Sequence, residues 1–181
     1  MKRTRITIVA ALAGLAAVSA AWVCLAAPVG AGRQVLTGEV RSLAKLEKVR
    51  VAVAHTAEVL RRLKYSTDEA RKDVIEMLAA ADIAGVDDDD APLLRIQILI
   101  EDHPQYPDVF SYTFHVSLEQ QARIERLNET HVVPTYAFVH GDLADRGDLR
   151  DELDKMLGKI IDRVISRIRR ATREHAASLP Q

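Results

Sequence analysis

The chain has 181 residues, with 25 Lys and Arg against 26 Asp and Glu and a formal net charge of −1. That balance lacks the basic surplus with which a protein recruits nucleic acid. The one cysteine, Cys24, excludes a disulfide framework within the chain.

The first readable segment is a targeting signal. Lys2, Arg3 and Arg5 precede 22 uncharged residues from Ile6 to Ala27, a basic region followed by an apolar one. Small residues then offer cleavage points at Val18-Ser19-Ala20, around Ala26 and at Val29-Gly30-Ala31. The last is preferred because charged, patterned sequence begins at Arg33, so residues 1–31 are expected to be a signal peptide. The alternative keeps residues 6–27 as an uncleaved anchor in the inner membrane, since ~20 apolar residues span a bilayer. Cys24 is not in a lipobox, because Ala21 and Val23 stand where Leu and a Gly or Ala are required. Either way the folded part is exported, to the periplasm or beyond. Removing residues 1–31 leaves 22 basic and 26 acidic residues and no thiol. Residues 32–181 are then expected to form one α+β domain that buries roughly two-thirds of its unfolded surface.

In chain order, Leu36, Val40, Leu43 and Leu46 suit a short amphipathic helix or an ordered lead-in. Residues 48–54 alternate with period two and predict a strand. A basic connection through Arg61, Arg62 and Lys64 leads to Ser66-Thr67-Asp68-Glu69, a capping box that opens a helix over 67–83. Ala70, Val74, Met77, Leu78 and Ala81 give that helix its apolar face, and Gly85 is expected as its left-handed stop. Asp87 to Asp90 form a solvated acidic loop. Leu94, Ile96, Ile98 and Ile100 line one side of a second strand. His103 to Asp108 break the pattern, and Phe110, Tyr112, Phe114, Val116 and Leu118 line a third strand that pairs with it as a hairpin. Its alternation continues through Ala122 and Ile124. Asn128-Glu129-Thr130 turns into a fourth strand over 132–139, where Pro134 requires a sheet edge, a late start or a bulge. The strongest helix follows, with Asp148 as its N-cap and a stripe of Leu149, Leu153, Met156, Leu157, Ile160, Ile161, Val164 and Ile168. The order β-α-β-β-β-α, with one apolar face on each helix, predicts an α+β two-layer sandwich. It has a mostly antiparallel four-stranded sheet and both helices on one face.

Motifs for chemistry are sparse. The four aspartates lack the alternating ligands, central Gly and closing Glu of a calcium loop, so no metal is expected there. Six histidines are scattered without ligand spacing, and no cofactor motif is present. The best catalytic set pairs His115, on the polar face of its strand with Thr113 and Ser117, with His140 and Asp142 of the next strand. It lacks a nucleophile elbow and an oxyanion site. Arg146-Gly147-Asp148 is read as loop plus cap, and the Asn128 sequon as a turn. Arg163, Arg167, Arg169, Arg170 and Arg173 crowd the end of the last helix, where cations complement its dipole. An anionic partner such as a membrane headgroup is the functional alternative.

Lys48–Ala54, Thr67–Ile83, Leu93–Ile100, Tyr112–Leu118 and Leu149–Ile165, in that order, resemble small exported bacterial proteins of unknown function. That group carries a Tyr-x-x-x-Val-x-Leu-Glu strand, here Tyr112 to Glu119, then a Thr-Trp pair, for which this chain has Thr135-Tyr136, and a helix opening Leu-Arg, here Leu149-Arg150. The element order is also similar to that of the periplasmic lipoprotein that assists lipopolysaccharide assembly. The resemblance implies a fold and assigns no catalytic residue. The expected function is a non-catalytic binding or assembly module of the periplasm or cell envelope, with an envelope protein or ligand as partner and the membrane as partner only if residues 6–27 are retained. The alternative is a small periplasmic hydrolase using His115, His140 and Asp142.

Overall fold

A computed structural model describes residues 38–178 other than 56 and 104; the expected signal peptide and its expected cleavage points lie outside the described residues. The elements are α1 (Gly38–Arg41), β1 (Lys48–His55), α2 (Glu58–Arg62), α3 (Thr67–Ala79), β2 (Ala84–Gly85), β3 (Leu93–Asp102), β4 (Val109–Ile124), β5 (Glu129–Asp145) and α4 (Leu149–Ser178). The expected α+β architecture is present, with five strands in the order β2-β1-β3-β4-β5 rather than four. β1 runs parallel to both β2 and β3, while β3, β4 and β5 are successively antiparallel. The added strand is the two-residue β2, too short to leave an alternating pattern in sequence.

One face of the sheet carries the core. Val49 and Val51 of β1, Leu94, Ile96 and Ile98 of β3, and alternate residues from Phe110 to Leu118 of β4 are all buried. Against them lie Ala70, Val74 and Leu78 of α3 and the stripe of α4, in which the predicted positions from Leu149 to Ile168 are all buried and Ile165 and Ala171 join them. The two periods, 2 in the strands and 3.6 in the helices, make these surfaces complementary layers.

Helix ends differ instructively from expectation. Ser66 Oγ accepts from the Glu69 backbone N–H at 3.1 Å, as the capping box requires. The stop falls at Asp82, not Gly85. Asp82 holds φ 63°, and Ile83 N–H donates to Leu78 C=O at 3.0 Å while Asp82 N–H donates to Ala79 C=O at 3.1 Å, the paired bonds of a Schellman motif. Gly85 lies in β2, where an added Cβ would sit 2.8 Å from Ile75 Cγ2; closeness of sheet to helix, not backbone freedom, requires glycine there. The basic connection at 61–64 is α2 and its stop. Lys64 at φ 52° leads Tyr65 N–H to Leu60 C=O at 2.9 Å, burying Leu60 and Tyr65 together.

Burial of Tyr65 pushes its phenol well above 10.0, with the charge of Asp154 on α4 adding to the shift. Burial likewise raises the Asp154 carboxyl. Because the folded phenol resists ionisation, its contribution to stability is complete below pH 10, the unfolded value, and is lost as pH rises through the folded one. Tyr65→Phe is therefore expected to flatten the fall of stability above about pH 10 in denaturant melts. An unchanged slope would exclude Tyr65 as its source.

Candidate functional site

The acidic loop is divided among separate cations. Asp87 pairs with Arg71, Asp88 with Lys48 at 2.7 Å, and Asp89 with Arg50, while Asp88 Oδ1 accepts from Asp90 N–H at 3.0 Å. The Lys48 ammonium holds Asp88 below the usual carboxylate range. These contacts fasten the loop to β1 and α3, and among the described residues no group of His, Cys, Asp and Glu is placed to hold a metal.

The expectation that His115 meets His140 and Asp142 is corrected by strand register. His115 lies opposite Val139, whereas His140 lies opposite Phe114 and Asp142 opposite Tyr112. Residues directly opposite share a face, so His140 and Asp142 are on the helix side and His115 is on the other side of the sheet. The cause is the irregularity at Leu118/Glu119, where Leu118 pairs with Tyr136 but Glu119 with Pro134, leaving Thr135 as the extra residue. Had the outer register, Gln120 with Val133, continued inward, all three side chains would share one face. The Pro134 expectation holds in two respects, since β5 is an edge strand and carries the bulge.

β5 is 17 residues long and, among the described strands, has a neighbour only on its β4 side. Its face away from the helices exposes Val139 (58%) and Leu143 (54%), and Val132 (65%) stands beyond the bulge. Pro134 and the bulge blunt one part of this edge, while the stretch after them leaves apolar side chains exposed on it. On the helix side, β5 and α4 enclose a cleft of about 320 Å³. Phe138, Met156 and Ile160 give its apolar lining, and His140, Asp142, Lys159 and Arg163 its polar lining. The Arg163 guanidinium lies 4.8 Å from the Phe138 ring centroid, a cation–π distance. His140 Nε2 is buried without a hydrogen-bond partner among the described residues. Lys159 and Arg163 are both exposed, and neither joins an ion pair among the described residues.

Sequence reasoning noted Arg163 and offered an edge for the Pro134 strand, but overlooked the apolar side chains which that edge exposes. The available signal was the adjacent apolar pairs Phe138-Val139 and Leu143-Ala144, which put one apolar side chain on each face of a strand. At the other end of β5, Arg146 closes the corner: its guanidinium lies 4.5 Å over the Phe110 ring and donates to Pro107 C=O at 2.9 Å. This agrees with the reading of Arg146-Gly147-Asp148 as structural. Asp148 C=O accepts from Glu152 N–H at 3.0 Å as α4 begins.

The architecture defined here is an α+β two-layer sandwich with one long open edge. No family model matches the chain, and no curated protein does. Among solved structures it is similar to a minor lipoprotein from Acinetobacter baumannii, with 13% identity, 74% of this chain and 93% of that chain covered, and a TM-score of 0.34. No described helix is long and apolar enough to cross a membrane.

Proposed function

We propose that this chain is a non-catalytic binding or assembly module of the periplasm or cell envelope, and that β5 is the edge through which it engages a partner. The observation that carries the reading is the exposure of Val139 and Leu143 on an edge strand beside a cleft with two cations that join no ion pair among the described residues. An extended segment added to β5 gains main-chain hydrogen bonds, and side-chain pockets on alternate sides supply specificity. The chemistry selects the partner: apolar side chains on the face that meets Val139 and Leu143, and carboxylates on the face that meets Lys159 and Arg163. A basic start followed by 22 uncharged residues supports an exported location.

Reversing the cleft cations with Lys159→Glu and Arg163→Glu tests this reading. Both side chains are exposed, so the melting temperature should move little. The size of the native assembly in envelope extracts should fall to that of the free chain. An assembly that survives both reversals would refute an acidic partner segment.

A further inference from the structure

A second basic surface, with no β5 residue in its lining, lies where the turn after α1 meets the last turns of α4. Lys45, Arg169 and Arg173 line a cleft of about 370 Å³ whose apolar lining includes Leu46, Ile83 and Ile168. The turn is fixed there: Lys45 takes φ 59°, and its backbone N–H donates to Thr172 Oγ1 at 3.0 Å. All three cations are exposed. None is in an ion pair among the described residues, whereas Lys48, Arg50, Arg71, Arg95 and Arg150 each face a carboxylate. Glu174 is held by Arg170 at 2.6 Å, so the acids lining the cleft are Glu47 and Asp82. Arg41, also exposed, adds a cation four residues before Lys45.

We propose that this end of the domain docks on the surface of an anionic phospholipid bilayer, its three cations meeting headgroup phosphates over the apolar lining. Dipole compensation alone does not account for the arrangement, because Lys45 belongs to a different element from Arg169 and Arg173 and all three converge on one concavity. Contact must be close, since the Debye length is about 8 Å at physiological ionic strength. Each cation near an anionic surface contributes about fivefold to binding, and Glu47 and Asp82 in the same cleft offset two of them, so with Arg41 the net gain is roughly 25-fold. The surface is independent of β5, and either proposal can fail without the other.

The test uses the chain from Gly32 onward, the form expected after cleavage, labelled with a fluorophore at Ala176→Cys, an exposed site in the last turns of α4. It is mixed with vesicles containing nitroxide-labelled lipid, of phosphatidylcholine alone or of phosphatidylcholine with phosphatidylglycerol. The label should be quenched on the anionic vesicles only, and about 1 M salt, where the Debye length is about 3 Å, should relieve the quenching. Lys45→Gln with Arg169→Gln and Arg173→Gln should remove most of it while leaving the thermal melt unchanged. Absent quenching, equal quenching on neutral vesicles, or an unaffected triple variant would each overturn the proposal.

Discussion

Phe114→Ala is expected to lower the stability of the domain by about 3–5 kcal/mol, the range for deleting a buried aromatic ring from a packed core. Phe114 is completely buried near the middle of β4, with α4 over the face it occupies. Its ring meets Tyr112 edge-on, with centroids 6.1 Å apart and planes at 89°. The loss thus combines transfer of the ring, a residual cavity and an aromatic pair that contributes about 0.5–1.5 kcal/mol beyond area. At about 2–4 °C per kcal/mol for a domain near this size, the melting temperature should fall by roughly 6–20 °C. Calorimetry checks this, and a fall of under about 3 °C would mean that the layers are not packed as described.

The second large effect falls on binding and leaves the fold alone. Val139→Lys with Leu143→Lys replaces two exposed apolar side chains of β5 by cations on the face opposite the helices. Lysines on an edge strand are a natural device against strand addition. Because both positions are more than half exposed, stability should change by less than about 0.5 kcal/mol at each. Each side chain is already nearly half covered, so completing its burial contributes about 0.8–1.6 kcal/mol, and at 1.4 kcal/mol per tenfold the loss of both weakens partner binding by at least about tenfold. Co-purification of the partner with the double variant, compared with the parent, measures it. Retained binding at parental levels would remove β5 from the interface.

The contrast between these predictions follows what the sequence could and could not disclose. The α4 stripe and the alternation of β3 and β4 were legible because burial on one face imposes a period, and every predicted stripe residue is buried. Pro134 announced an irregular edge for a local reason, its missing N–H. The faces of His140 and Asp142 were not legible, because a one-residue bulge at Thr135 reverses the parity of everything after it. Both helix stops were hidden for another reason: Lys64 and Asp82 occupy left-handed positions that sequence reading assigns to glycine. Tertiary contact holds them there, since Tyr65 and Ile83, the residues that follow, are buried against the core. The five-residue α2 and two-residue β2 were too short for either period to register. The basic clefts depend on which elements meet, so Lys45 with Arg173, 128 positions apart, left no pattern along the chain.

The most direct measurement of whether β5 is a binding edge is photo-crosslinking in cells that produce the protein. A photoreactive side chain is placed at Val139, with Lys72, exposed on α3, as the control position. The account predicts an adduct from position 139 to a segment of a different envelope protein that carries apolar residues and carboxylates in alternation, with none from position 72. Adducts confined to the chain itself or to a second copy, or equal yields from the two positions, would contradict it.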